Sequence, residues 1–289
     1  MKIGVFSVST PEYSPEETVK MLKSLGYDGV EWRVTTPSPK VKPDGYTYEN
    51  RYWTYNKSTL PVQGIFDAAK QAKSQCDEAG LEIYSLTSYA MPDDVETIKN
   101  VLKAAAEIGC PNMRVLAPGF DGNTNYCSLF DDTKVHLKEL EKMAAQFNVR
   151  INIEQHMNTI IPSASAAYRL VSECDPKYIG VIFDPGNMVY EGFEDYRIVV
   201  QLLGEYIACV HVKNASWQPT EVNSFGARIW KPVWAPIKNG CVNLIAVIDA
   251  LKQGGYKGYL GIEDFSNELD TKSKLQDNLE FIKDIMNHS

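Results

Sequence analysis

The stretch "RINIEQHMN", residues 150–158, alternates Ile151 and Ile153 against Asn152 and then places Glu154 and His156 two residues apart. On a strand, that spacing sends both side chains to one face. A carboxylate and an imidazole therefore stand together at the carboxyl end of an otherwise apolar strand. Similar runs recur along the chain: "KIGVFSV" (2–8), "GVEWRV" (29–34), "LEIYSLT" (81–87), "NMRVLAP" (112–118), "VRINIEQ" (149–155), "YIGVIFD" (178–184), "IACVHVK" (207–213) and "GYLGIED" (258–264). Between them lie helical patterns such as "SPEETVKMLKSLG" and "DVETIKNVLKAAAEIG". The first has Ser14 as a cap, Pro15 in the first turn and Gly26 as a stop. Gly80, Gly109 and Gly255 mark further helix exits. Strands joined by helical crossovers pair in parallel, and eight such units predict closure into a (β/α)8 TIM barrel. An open nucleotide-binding sheet is disfavoured, since no G-x-G-x-x-G follows the first strand and no G-x-x-x-x-G-K-[ST] occurs.

The totals fit one such domain over residues 1–289. The chain is 44% hydrophobic and 23% charged, with a net charge of −8. An acidic surface repels phosphate backbones and anionic lipid, so neither nucleic acid nor membrane is an expected partner. The start "MKIGVFSVSTPEYSPEE" has too short an apolar run for a signal peptide, and no later run is long enough to span a bilayer. Cys76, Cys110, Cys127, Cys174, Cys209 and Cys241 form no C-x-x-C pair and read as reduced thiols, which points to a cytoplasmic protein.

Two connections, at about 35–61 and 214–243, are too long to be plain links and follow the carboxyl ends of strands, the face on which barrels build active sites. The first carries Tyr46, Tyr48, Tyr52, Trp53 and Tyr55, and the second Trp217, Phe225, Trp230 and Trp234. The first loop suits a binding site and a contact in a dimer or tetramer equally, and the second suits a binding site better.

The late strands then repeat the theme of the fifth. The sixth ends at Asp184, the seventh carries His211 followed by Lys213, and the eighth ends at Glu263. With Glu154, four adjacent strands each offer a metal-competent side chain at one height. Clustered buried carboxylates repel unless protonated or neutralised by a cation. Three oxygen ligands and one imidazole suit a single divalent ion such as Mn²⁺, Mg²⁺, Co²⁺ or Zn²⁺.

These residues resemble the xylose-isomerase-like TIM-barrel superfamily of sugar isomerases, epimerases and inosose dehydratases. The resemblance runs through "GYDGVEW", "NIEQH", "FDPGN", "VHVKN" and "GGYKGYLGIED" and covers essentially the whole chain. It implies that Glu154, Asp184, His211 and Glu263 bind the ion, with Glu154 and Glu263 doubling as the acid/base pair. It also implies that Arg228, in "FGARIW", contacts substrate, and that Glu31, His156 and Lys213 match polar positions of the pocket. Epimerases of this type usually carry a histidine three residues after the aspartate, where this chain has Asn187. Asn187, Asn214, Trp217 and Trp230 could bond the hydroxyls of a sugar ring or pack on it.

The chemistry expected from this placement is proton abstraction next to a carbonyl, with a metal as Lewis acid stabilising the resulting enediolate. Returning the proton to the other face or the neighbouring carbon gives an epimerase or isomerase of a sugar, ketose or cyclic polyol, the leading expectation. Loss of a β-hydroxyl instead gives an inosose-type dehydratase. A glycoside hydrolase would also need two carboxylates but not Asp184 and His211 beside them. A non-catalytic sugar-binding barrel would have no need of a complete ligand set.

Overall fold

A computed structural model describes residues 1–288. Eleven strands run in chain order: β1 (Lys2–Phe6), β2 (Gly29–Thr35), β3 (Thr59–Pro61), β4 (Glu82–Ser88), β5 (Asn112–Val115), β6 (Arg150–Glu154), β7 (Ile179–Phe183), β8 (Ile207–Val212), β9 (Asn214–Val222), β10 (Arg228–Ala235) and β11 (Tyr259–Ile262). Eight of them form a parallel barrel in the order β1-β11-β8-β7-β6-β5-β4-β2, closed by pairing of β1 with β2. These eight are the strands expected from the sequence, each starting within a residue or so of its apolar run. The ninth strand of the sheet, β3, pairs with the carboxyl end of β2 beyond the point where β1 stops and so widens the mouth.

The helices begin and end where local chemistry requires. Ser14 and Glu17 form a reciprocal capping box at the head of Pro15–Leu25, and Gly26 takes φ 89° at its exit. Outward-facing strand residues such as Val30, Leu86, Ile151 and Val181 pack in one large apolar core with the helices.

Inside the barrel the packing is different. Gly4 on β1 and Gly261 on β11 are register partners. A Cβ on Gly4 would lie 2.4 Å from Tyr84 Cε1, and one on Gly261 would lie 2.7 Å from the Tyr84 hydroxyl. The two glycines thus form a floor on which the Tyr84 ring lies, stacked against Tyr259 at 4.0 Å between centroids. An irregularity in the β2–β4 register lets β4 put both Tyr84 and, three residues on, Thr87 inside.

The two long connections have structure of their own. Residues 214–235 form the antiparallel β9–β10 hairpin, with a turn at 223–227 and Phe225 93% exposed at its tip. Its apolar residues do not alternate cleanly, so these two strands carry no periodic signal in the chain. The other connection contains the short helix Arg51–Thr54 and β3. Arg51 is buried and donates to Glu12 (2.6 Å), Asn267 (2.6 Å) and the Tyr52 hydroxyl (2.8 Å). Lys274, on the last helix, donates to the same hydroxyl (2.9 Å) and to the carbonyls of Asp264 and Ser266. This polar knot ties residues 51–54 to the segment after β11, and Trp53 packs on Phe265 above the mouth at 4.8 Å.

The glycine floor makes a testable demand. Gly4→Ala should destabilise the fold by about 1–3 kcal/mol through overpacking, measured by urea denaturation. Adding Tyr84→Leu should recover part of the loss, because the clash is with that ring. An unchanged midpoint in Gly4→Ala would show that the ring has room to move.

Candidate active site

The neighbouring strands β6, β7, β8 and β11 each deliver one ligand-type side chain to the mouth. Glu154 ends β6, Asp184 follows β7, His211 lies near the end of β8 and Glu263 follows β11. One ligand atom from each of these four buried residues lies within 4.8 Å of the others.

Local structure fixes each of them. Asp184 caps the helix Pro185–Tyr190, and its Oδ1 accepts from the Asn187 backbone N–H at 2.8 Å, which leaves Oδ2 for the site. A cap and a ligand are thus combined in one carboxylate. His211 turns Nδ1 toward Glu154 Oε1 (3.1 Å), Glu263 Oε2 (3.6 Å) and Asp184 Oδ2 (3.9 Å). Its Nε2 lies 3.2 Å from Glu31 on the other side, and Phe6 stacks on the ring at 5.4 Å. A proton on Nε2 donated to Glu31 leaves Nδ1 free as a ligand. Burial favours the neutral ring, but Glu31 and Glu154 outweigh it and raise the His211 pKa.

Charge decides the protonation of the carboxylates. Burial alone would push Glu154 up, yet the Arg114 guanidinium paired with it, together with His211, holds it well below the usual carboxylate range. Asp184 has no such partner at hand except Lys213, and desolvation lifts it to about 6. Lys213 Nζ sits 2.8 Å from Asp184 Oδ2 and touches Glu263, with the Trp234 ring 5.0 Å away.

The donor set fits a divalent cation. Asp184 Oδ2 and Glu263 Oε2 are buried and accept no hydrogen bond, although the Lys213 ammonium lies beside both. Two orphaned anionic oxygens facing an imidazole nitrogen are what a hard or borderline metal ion would satisfy.

The other residues expected at the site fall in different places. His156 follows Glu154 into the cavity wall, its Nδ1 2.8 Å from the Met157 carbonyl. Asn187 lies one layer behind, donating to the Gln155 carbonyl (3.1 Å) and accepting from Lys213 (3.1 Å). Glu31 is beneath His211 rather than on the wall, also accepting from Thr87. Asn214 is spent on the hairpin base, donating to the Ile237 and Val242 carbonyls. Trp217 donates to the Val189 carbonyl at 2.8 Å and is not part of the cavity wall. Arg228 is exposed at the start of β10 near the hairpin tip, where it donates to the Thr220 carbonyl at 3.3 Å. The hairpin carries it outward, away from the four ligands.

A cavity of about 440 Å³ opens onto the cluster. Glu154 and Glu263 line it together with Arg114, Lys213, His156 and an aromatic wall that includes Trp53, Tyr89, Tyr190, Trp234 and Phe265. Arg114 was not among the expected residues. Its signal is a charged side chain within the apolar run "NMRVLAP", on the register row that also holds Asn152.

Comparison with known proteins agrees with this arrangement. The family model for the xylose isomerase-like TIM barrel matches residues 19–285. An inosose dehydratase from Geobacillus thermodenitrificans is 30% identical over 132 residues, which is 44% of each chain, so less than half of that relative's length is matched. An inosose dehydratase from Bacillus velezensis is 25% identical over 278 residues, 90% of this chain and 86% of the relative. Among solved structures, the IOLI protein with a bound zinc atom superposes with a TM-score of 0.72 at 16% identity, covering 100% of this chain and 99% of the other. At that identity the likeness establishes the fold alone. No helix of the described residues is long and apolar enough to cross a membrane.

An ion entering the cluster competes with protons on Asp184, at about 6, and on the raised His211. Because the His211 pKa is raised, Mn²⁺ affinity should already decline as the pH falls through neutrality and should steepen to about tenfold or more per unit below pH 6, as read by calorimetric titration. A flat affinity from pH 7 to 5 would mean that other groups hold the ion.

Proposed function

The chain belongs to the xylose isomerase-like TIM barrel family, and on that premise we propose that it is a divalent-metal-dependent enzyme acting on a hydroxylated ketone of the sugar or polyol type, with dehydration of an inosose-like substrate as the leading reaction. The observation that carries this is the cluster of Glu154, Asp184, His211 and Glu263 at the base of a cavity that two of them also line. The relatives aligned along the chain favour dehydration over isomerisation, which reverses the order of preference drawn from the residues alone.

Glu154, Asp184, His211 and Glu263 would hold the ion, which supplies a Lewis acid that polarises the substrate carbonyl. Glu154, kept ionised by Arg114, takes the proton from the carbon next to that carbonyl. The electron pair released forms the carbon–carbon double bond, and the bond to the β-hydroxyl oxygen breaks. The Lys213 ammonium, held against Glu263, supplies the proton that Glu263 passes to that oxygen as it leaves as water. The aromatic wall excludes bulk water and packs on the ring.

Epimerisation or isomerisation is the second reading. It is favoured by the entry of Glu154 and Glu263 into one cavity from two different strands, β6 and β11, which lets one remove a proton and the other return it. A glycosidase mechanism leaves Asp184 and His211 without a role.

The test is incubation with Mn²⁺ and an inosose in D₂O, followed by mass spectrometry. Loss of one water is expected, and Glu154→Gln and Glu263→Gln should each lower the rate by about 10²–10⁴-fold. Deuterium incorporation without loss of water would install the second reading. No exchange with inososes or any of a keto-sugar panel, at full metal content, would overturn both. His211→Ala should lose the ion in elemental analysis.

A further inference from the structure

We propose that the substrate carries a carboxylate and that Arg114 is the residue that selects it. This inference rests on the reading of the barrel mouth as the site of proton abstraction from a hydroxylated ketone and narrows that class to acids, for which an inosose stands as the weaker-binding neutral analogue.

Arg114 is 3% exposed and lines the cavity. Its Nη1 pairs with Glu154, and its Nε donates to the Ser88 carbonyl at 3.2 Å. Its Nη2 is buried with no hydrogen-bond partner. A guanidinium nitrogen stripped of water and left unpaired is costly, because both of its N–H groups lose their solvent acceptors. Because Arg114 lines the cavity, a ligand acceptor entering there would satisfy that atom, and a carboxylate is the best geometric match to a guanidinium edge.

The composition of the wall points the same way. Arg114 and Tyr89 offer free donors, and Lys213, whose ammonium donates to Asn187 and faces Asp184 and Glu263, adds positive charge beside them; His156, with its Nδ1 proton on the Met157 carbonyl, presents Nε2 as an acceptor. Arg33 donates to the Tyr89 hydroxyl oxygen at 3.3 Å, so the proton of that hydroxyl is free for the cavity. Apart from Glu154 and Glu263, no lining residue carries a carboxylate or a carboxamide. A neutral polyol needs an acceptor for each hydroxyl proton as well as donors, and these side chains provide few. A substrate rich in acceptors matches them better.

The charge balance supplies an independent reason. Glu31, Glu154, Asp184 and Glu263 are buried around the site, as are Arg33, Arg114 and Lys213. Arg33 contacts only hydroxyls and the Tyr89 ring, with no carboxylate partner. The neighbouring ion pairs Arg51–Glu12 and Lys274–Asp264 cancel within themselves. With a dication on the four ligands and a neutral His211, one positive charge remains in excess. A monoanionic substrate neutralises it.

Matched ligands test this by calorimetry on the Mg²⁺-loaded protein: quinate against myo-inositol, and D-glucuronate against D-glucose. At least one acid should bind ten-fold or more tighter than its neutral partner. Arg114→Lys keeps a cation beside Glu154 but removes the free Nη2, so it should abolish that preference with metal content unchanged and a cooperative melting transition retained. Tyr89→Phe should weaken the acid and leave the neutral partner alone. Equal binding within both pairs, absence of binding in both, or a preference that survives in Arg114→Lys would overturn the inference. Elemental analysis separates the two levels: retained metal with no acid preference removes only the carboxylate, whereas failure to hold metal removes the proposed function itself.

Discussion

Negative charges crowded into a low-dielectric barrel mouth repel one another, and the architecture around them answers that repulsion. Glu154, Asp184, Glu263 and Glu31 are all buried near one imidazole. Arg114 reaches across from β5, Lys213 follows β8, and His211 sits between its carboxylate neighbours on both ring nitrogens. Even so, two carboxylate oxygens keep no hydrogen bond. The internal cations moderate the repulsion without removing it, and the remaining negative charge is what a metal ion there would neutralise.

Rigid surroundings keep the charges from relaxing away from each other. Asp184 is tied down as a helix cap, Glu31 is held by Thr87, and Tyr84 fills the barrel below on its glycine floor. Above, the knot of Arg51, Tyr52 and Lys274 anchors the segment carrying Trp53 against the segment carrying Phe265. Lys274 itself is pulled down to about 8 by burial, so the knot that holds this part of the wall is electrostatically tense as well as apolar at its edge. Preorganisation of this kind is what a site requires if charge developing on a substrate is to be stabilised without further rearrangement.

Much of this was legible in the chain. The eight barrel strands announced themselves because each is buried on both faces and reads as a short apolar run. Glu154, Asp184, His211 and Glu263 were legible because each ends or nearly ends such a run, which places them at one height. What was hidden depended on long-range geometry. Arg114 looked like a strand residue until β6, which pairs Asn152 with it, brought Glu154 within reach of its guanidinium. Glu31 gave no sign that it would lie beneath the histidine. Arg228 and Trp217 sit in a segment whose course is set by β9–β10 pairing rather than by a periodic pattern, and the hairpin takes both out of the cavity wall.

The closure of β1 on β11 joins the first strand of the chain to the last. During synthesis, at about 5–20 residues per second, Glu154, Asp184 and His211 leave the ribosome well before Glu263. Until β11 arrives, β1 lacks one of its two partners and the Tyr84 ring lacks half of its glycine floor. The seam spans most of the sequence, a pairing of high contact order that forms slowly. Completion of the ligand cluster and completion of the fold are therefore one event, and a nascent chain passes through synthesis with an open sheet edge and no finished site.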